Sequence, residues 1–122
     1  MKSDVGHVLD HTVRLQIAHT KNIIKPYLHN AHIYLFGSIA KGCYSKNSDI
    51  DLLILIPEEM TTKELRSLRH HLEDTIEEYN INRAVDLKLY TTARYTELSQ
   101  KPCFERAIVK DLINIEEWWE GG

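Results

Sequence analysis

Apolar residues recur along the chain at two different spacings, and these spacings predict alternating helices and strands. Residues 5–25 carry apolar side chains at helical intervals, which predicts an amphipathic helix that ends or kinks at Pro26. Thr61 with Glu64 three residues later is a capping-box signature. Apolar residues then follow at helical intervals as far as Tyr79, so a second helix is predicted from that point.

Three segments have the composition and alternation of β-strands. Residues 31–36 mix β-branched and aromatic residues and stop at Gly37. Ile50–Ile56 is nearly continuous aliphatic sequence bounded by Pro57, which is typical of a central strand covered on both faces. Residues 84–90 alternate apolar with charged residues and are predicted to form a third strand.

The remaining segments complete the predicted order of elements. Residues 37–48 contain Gly, Ser, Asn and Lys and are predicted to form a loop. Pro102 can begin another helix that runs to about Lys110, and Ile113 with Ile115 indicates a short edge strand. The order helix, strand, loop, strand, helix, strand, helix predicts an α/β (α+β) fold in which a small mixed sheet is flanked by helices.

Length and composition limit the number of domains, the expected partners and the cellular location. The chain has 122 residues, no internal repeat and no linker rich in Gly, Ser or Pro, so residues 1–122 are predicted to form a single domain. A net charge of −3 gives no general attraction to nucleic acid or to anionic membranes, and neither is an expected partner. No apolar run has the length of a membrane span and the N-terminus lacks the pattern of a signal peptide, which predicts a cytoplasmic protein.

Two aspartates stand at the start of the most apolar strand. Asp is disfavoured inside strands, yet Asp51 lies within Ile50–Ile56 and Asp49 stands two residues earlier. Side chains at i and i+2 of a strand share a face, so the two carboxylates can converge, and Asp86 in the third predicted strand can add another. Three such groups raise one another's pKa unless a cation is present. The pattern predicts a site for Mg²⁺ or Mn²⁺, although a lone Asp is more often a strand-end cap.

Gly37 and Ser38 follow the first predicted strand directly. A glycine permits close approach of the backbone, and Ser38 offers both a hydroxyl and an N–H to a phosphate. By itself the pair does not exclude a plain strand-to-helix turn capped by Ser38. Its interpretation as a phosphate site depends on the carboxylates that follow it.

These motifs together resemble the DNA polymerase beta-like nucleotidyltransferase superfamily, and in size the chain resembles its minimal nucleotidyltransferases. The resemblance covers residues 33–90 strongly and the flanking segments only by general layout. It is carried by three motifs in order along the chain: Gly37-Ser38, then after ten residues Asp49-Ile50-Asp51, and Val85-Asp86-Leu87 on a later strand.

The resemblance implies a fold and a role for each residue of these motifs. The fold would be the polymerase beta-like nucleotidyltransferase fold. Gly37 and Ser38 would bind the triphosphate, while Asp49 and Asp51 would ligate both metal ions. Asp86 would hold the metal beside the incoming nucleophile and can also accept the proton of the attacking hydroxyl.

Two further residues in the matched stretches, Lys41 and Ser48, are assigned to the nucleotide by the same resemblance. Such proteins often have Arg where Lys41 stands, and a lysine replaces a bidentate phosphate contact by a point charge. The implied reaction uses two Mg²⁺ ions and ATP: a hydroxyl attacks the α-phosphate and pyrophosphate leaves in line.

The resemblance also implies a partner. Minimal nucleotidyltransferases are frequently the antitoxin of a HEPN-domain ribonuclease toxin, and some transfer AMP to a tyrosine of that toxin. The chain is therefore expected to be an antitoxin that acts by AMPylation of a HEPN-type partner. Trp118 and Trp119 are candidate anchors of that interface, with packing onto the core as an equal alternative.

Two other functions stay open at the level of the sequence. One is a binding module that neutralises its partner by sequestration alone, although all three carboxylates and the Gly-Ser pair of a chemically complete site are present. The other is a transferase for a small hydroxylated molecule such as an antibiotic. That function needs a concave acceptor pocket, which so short a chain could complete only by oligomerising.

No catalytic or metal-binding role is predicted for the remaining candidate residues. Cys43 and Cys103 form no close-spaced motif and are interpreted as small, semi-buried apolar residues. His7 and His11 stand four apart on one predicted helix, but no third metal ligand accompanies them. The basic residues of the second predicted helix are interpreted as its solvated face, with contact to an acidic partner as the alternative; they are Lys63, Arg66, Arg69 and His70.

Overall fold

The computed structural model describes residues 10–118, in which helices and short strands alternate. The strands are β1 (His32–Phe36), β2 (Ile50–Ile56), β3 (Val85–Thr91) and β4 (Ile113–Asn114). The helices are α1 (His11–Ile24), α2 (Gly37–Lys41), α3 (Thr62–Tyr79), α4 (Thr92–Leu98) and α5 (Phe104–Ala107), and two 3₁₀ turns cover Lys25–Tyr27 and Val109–Asp111. No helix in this part of the chain has the length and apolar character needed to cross a membrane.

The strands form one mixed sheet in the order β3-β2-β1-β4. β1 pairs antiparallel with both β2 and β4, whereas β2 and β3 run parallel. The parallel pair requires a crossover, and α3 provides it. The predicted small mixed sheet flanked by helices is confirmed, including the short edge strand near Ile113.

The central strand β2 is apolar at every position except Asp51, and both of its faces are covered. Its even-numbered residues belong to the larger core, which contains α1 and α3. Leu53 and Leu55 belong to a smaller core on the opposite face. The other buried members of that smaller core are Tyr34, Phe36, Tyr95, Ile108 and Leu112.

The helix α3 begins where its capping box predicts. The Thr61 hydroxyl accepts a hydrogen bond from the Glu64 N–H at 3.1 Å, and Thr61 N–H donates to Glu64 Oε1 at 2.9 Å. Leu72 and Ile76 are buried against the sheet, but Tyr79 at the end of the helix is exposed. The apolar period of this segment therefore ends one turn before the helix does.

The helix α1 starts later than its apolar pattern suggests. Asp10 caps it by accepting a hydrogen bond from the Thr12 N–H at 2.8 Å, so the helix begins at His11 rather than near residue 5. Residues 1–9, including His7, lie outside the described part of the chain. The predicted stop at Pro26 is confirmed, because this residue lies in the 3₁₀ turn that ends the helix.

The segment after β3 differs from its prediction. The seven-residue helix α4 was not predicted because only Tyr95 of its residues is buried, which leaves no apolar period to detect. The predicted helix over residues 102–110 is one α-helical turn and one 3₁₀ turn. It ends because Leu112 adopts an extended conformation that leads the chain into β4.

Trp118 packs into the larger core, where it is 5% exposed. The guanidinium of Arg14 lies 4.0 Å from the centre of its ring, and the buried Lys21 donates a hydrogen bond to its carbonyl oxygen. Of the two alternatives for this residue, the structure favours core packing over an interface anchor. Trp119 lies outside the described residues.

Candidate active site

Asp51 and Asp86 occupy paired positions on the parallel strands β2 and β3. Neighbouring strands lie about 4.8 Å apart, and paired residues direct their side chains to the same face. The two carboxylates therefore lie side by side on the face of the smaller core. The sequence places Asp86 in a strand, but only the register between β2 and β3 places it beside Asp51.

Gly37 lies against the carboxylate of Asp51. The residue before it, Phe36, pairs with Asp51 across β1 and β2. A Cβ atom at Gly37 would lie 2.1 Å from Oδ2 and 2.9 Å from Cγ of Asp51, far inside van der Waals contact. Gly37 also has a φ of 78°, which disfavours any residue with a side chain. The glycine thus makes room for this aspartate.

Asp49 lies just before β2 and is exposed. Its charge reaches Asp51, since it is one of the groups that raise the pKa of that carboxyl. Asp51 therefore feels the negative charge of both Asp49 and Asp86.

The carboxyl group of Asp51 has its pKa raised to about 6. Partial burial is the largest cause, followed by the negative charges of Asp86 and Asp49, while Lys88 opposes the shift. A carboxylate in this position is destabilised by its surroundings. A divalent cation would remove the repulsion, so the donor set of carboxylate oxygens fits Mg²⁺ or Mn²⁺ chemically.

Within residues 10–118, no three His, Cys, Asp or Glu side chains stand close enough together to hold a metal ion as they are oriented. Asp86 instead lies near a lysine, with 3.9 Å between its Oδ2 and Lys88 Nζ. In the absence of a cation, repulsion between the carboxylates favours an orientation of Asp86 toward Lys88. Lys88 was not predicted to belong to the site, although residues at i and i+2 of a strand, such as Asp86 and Lys88, share a face.

The predicted nucleotide ligands all precede the aspartates in the chain. Gly37 and Ser38 start the short helix α2 rather than a loop, because the chain turns into a helix directly after β1. Lys41, at the end of α2, is exposed and lies 3.9 Å from Asp111. Ser48 accepts a hydrogen bond from the Ser45 N–H at 2.9 Å and closes a turn before the aspartate motif.

Arg83, which no sequence motif indicates, fixes the turn that precedes Asp49. Its Nη1 donates to the carbonyl oxygen of Ser48 at 2.7 Å and to that of Ser45 at 3.4 Å. Its Nε donates to Gln16 Oε1 at 2.9 Å. No motif marks this arginine, because its partners are backbone carbonyls and a glutamine far away in the chain.

Hydrogen bonds to Glu105 hold α5 against β3 and α4, on the same face of the sheet as the aspartates. Tyr90 donates a hydrogen bond to Glu105 Oε2 at 2.7 Å, and Tyr95 donates to the Glu105 carbonyl oxygen at 2.8 Å. Burial raises the pKa of Tyr90, and burial with the charge of Glu105 raises the pKa of Tyr95 to about 12. Both hydroxyls stay protonated and act as structural donors.

Cys43 is exposed rather than semi-buried, and both it and Cys103 are free thiols. His11 is exposed at the start of α1, and His71 lies edge-on to Tyr27 with 4.8 Å between ring centres. Neither the cysteines nor these histidines belong to the aspartate site.

The fold and the paired aspartates define an α+β protein with an acidic site at one end of a small mixed sheet. The family model described as "Polymerase beta, Nucleotidyltransferase" matches residues 18–110, and the chain belongs to this family of nucleotidyltransferases. No curated protein matches the chain. A solved structure described as "Crystal structure of the toxin-antitoxin with AMP-PNP" is 22% identical, covers 72% of this chain and 68% of that chain, and has a TM-score of 0.41.

Proposed function

We propose that this protein transfers AMP from ATP to a hydroxyl group of a partner protein in a reaction that depends on divalent metal ions. The observation that carries the proposal is the pairing of Asp51 with Asp86 beneath Gly37. An acidic pair beside a glycine turn is costly to the fold unless it binds a cation. Membership of the nucleotidyltransferase family supports the type of reaction.

Asp49, Asp51 and Asp86 would hold two Mg²⁺ ions. When bound, these ions neutralise the triphosphate and lower the pKa of the attacking hydroxyl. Asp86 would also accept the proton of that hydroxyl, and its position on the edge strand β3 beside Asp51 supports this role. The hydroxyl oxygen forms a bond to the α-phosphorus, and the bond from that phosphorus to the pyrophosphate oxygen breaks.

Gly37, Ser38, Lys41 and Ser48 are the proposed nucleotide ligands. Gly37 allows the phosphates to approach the backbone, and Ser38 offers its hydroxyl and N–H to them. Lys41 is exposed, and its long contact with Asp111 is weak enough to be exchanged for a phosphate. Ser48 contributes by shaping the turn that Arg83 holds in front of Asp49.

We further propose that the acceptor is a tyrosine of a HEPN-type ribonuclease toxin and that this chain is its antitoxin. The support is the resemblance of residues 37–42 and 48–53 to the signature of minimal nucleotidyltransferases.

The test is mass spectrometry of the protein after incubation with ATP, Mg²⁺ and the product of its neighbouring gene. Added AMP is expected on the neighbour, and none after EDTA treatment or with Asp51→Asn. Asp74→Asn, an exposed carboxylate on α3 far along the chain from the site, is the matched control and should behave like the parent protein. A well-folded Asp51→Asn protein that still transfers AMP contradicts the assignment. A stable complex without added mass would instead identify neutralisation by binding alone.

A further inference from the structure

Three arginines from two helices line one pocket at the free edge of β3. Arg66 and Arg69 come from α3 and Arg94 comes from α4, and the pocket has a volume of about 470 Å³. β3 is the terminal strand of the sheet and pairs only with β2 among the strands of the described chain. The outer edge of β3 therefore forms the bottom of the pocket, and α3 and α4 form its walls.

The sequence places these side chains together through ordinary helical spacing. Thr62, Leu65, Arg66 and Arg69 stand at i, i+3, i+4 and i+7 of α3 and so share one face. Arg94 and Leu98 stand at i and i+4 of α4 and face the same pocket. The basic residues of α3 are thus not simply a solvated face, because two of them point into a cavity that a third arginine completes.

The positive charge of this pocket is poorly compensated by the protein itself. Arg69 Nε is shielded from solvent and has no hydrogen-bond partner within residues 10–118. The carboxylate oxygen Glu73 Oε1 lies 4.0 Å from it, too far for a hydrogen bond. Arg94 Nη1 lies 3.3 Å from Glu97 Oε1, and both of these side chains are exposed. Exposed pairs of this kind contribute little and are readily exchanged for a better anion.

The rest of the lining is apolar or aromatic. Leu65 and Leu89 lie on the α3 side, and Leu98 and Tyr90 on the α4 side. Three guanidinium groups suit the several oxygens of a phosphate group, which they can contact in bidentate fashion. An apolar wall beside them suits a ring system, and the volume lies in the range of small-molecule pockets.

We propose that this pocket binds a phosphomonoester that carries an aromatic ring, of the nucleoside monophosphate class, at a site separate from the aspartates. Tyr90 is four residues beyond Asp86 on β3, which corresponds to roughly 13 Å along the strand. In the absence of a metal ion the aspartates repel a free phosphate, whereas the arginines attract one. The proposal does not depend on the transfer reaction, because none of the site aspartates lines this pocket.

The test follows the arginine Nε–H signals and backbone amides by ¹H–¹⁵N NMR during titration with AMP, in EDTA and at constant ionic strength. Saturable shifts are expected for Arg69 Nε–H and for residues 65–69 and 94–98. Arg66→Gln and Arg69→Gln should each weaken AMP binding about tenfold, the loss of one charge-assisted contact. Arg106→Gln, which removes an exposed arginine from α5, should bind AMP unchanged.

Three further titrations decide the ligand class. Inorganic phosphate should shift the same arginine signals at higher concentration, and adenosine should leave them unchanged. Shifts that do not saturate, equal shifts with adenosine, or equal binding by both pocket variants would each overturn the proposal. Saturation by a glutamate-rich peptide without any response to AMP would overturn it in favour of an acidic protein partner. Arg66 is exposed, so its variant should fold even if Arg69→Gln does not.

Discussion

At the scale of single residues, Gly37 shows how a backbone position and a carboxylate depend on each other. The left-handed φ and the 2.1 Å approach to Asp51 both exclude a side chain. Gly37→Ala should therefore destabilise the protein by roughly 1–3 kcal/mol and displace Asp51. Transfer of AMP should fall at least about a hundredfold, comparable to the loss of a catalytic electrostatic contact.

The matched control for Gly37→Ala is Gly42→Ala. Gly42 ends α2 with a φ of 83°, so an alanine there is strained in the same way. Its variant should lose stability in chemical denaturation but keep most of its transfer activity. Equal activity of the two alanine variants would show that the contact with Asp51 is unimportant.

Asp51 should make stability depend on pH in the absence of metal. Its folded pKa of about 6 exceeds the ordinary value of 3.8, so the folded protein binds more protons between these values. The stability that protonated Asp51 contributes is complete below about pH 4 and is lost as the pH rises through about 6. With allowance for solvent screening of this half-exposed group, the loss is about 1 kcal/mol.

Asp51→Asn should remove this part of the pH dependence. In EDTA, thermal denaturation at pH 4 to 8 should show a smaller decline for Asp51→Asn than for the parent protein or Asp74→Asn. Added Mg²⁺ should stabilise the parent protein more at pH 7 than at pH 5, because protons and metal compete for the same oxygens. Parallel pH profiles of the parent and Asp51→Asn would contradict the assigned pKa.

At the scale of elements, Arg83 joins the turn before Asp49 to α1 through Gln16. Arg83→Ala should cost about 1–2 kcal/mol, since it leaves carbonyl oxygens without their donor. Hydrogen exchange of the Ser48 amide, which bonds to the Ser45 carbonyl, should become faster. AMP transfer should decline because Asp49 loses its fixed position.

Gln16→Ala provides the comparison for Arg83→Ala. It removes the partner of Arg83 Nε but leaves the bond from Nη1 to Ser48. It should lower stability while changing exchange at Ser48 much less. If both variants accelerate that exchange equally, the connection to α1 rather than the bond to Ser48 holds the turn.

Elements with strong local signals were predicted well. The capping box fixes the start of α3, and the unbroken aliphatic run of Ile50–Ile56 identifies the central strand. α4 could not be predicted because only one of its residues is buried, and α5 is shorter than the helix predicted over residues 102–110. Such helices are stabilised by tertiary contacts more than by their own sequence.

At the scale of the whole molecule, side chains of α1 contact the segment that follows β4 and hold the two together. Trp118 fills the larger core beside Arg14, and Lys21 reaches the carbonyl oxygens of Glu116 and Trp118. Trp118→Ala should destabilise the protein by about 3–5 kcal/mol, the usual cost of removing a buried large aromatic residue. Urea denaturation followed by circular dichroism measures this loss.

Trp118→Phe is the conservative control and should lose considerably less stability. Partner binding measured below the unfolding transition should be unchanged in both variants, because the indole is buried in the free protein. A Trp118→Ala protein of normal stability but weak partner binding would restore the alternative that this residue anchors an interface.

The sequence by itself determined the class of fold, the three main strands, the long helix α3 and the family, because these depend on local periodicity and short motifs. It also marked Gly37, Asp49, Asp51 and Asp86 as one group. Only the tertiary structure decided that Asp86 pairs with Asp51, that Gly37 makes room for that carboxylate and that Arg83 holds the turn before Asp49. Strand register and long-range hydrogen bonds arise from contacts between distant segments, which leave no local pattern in the chain.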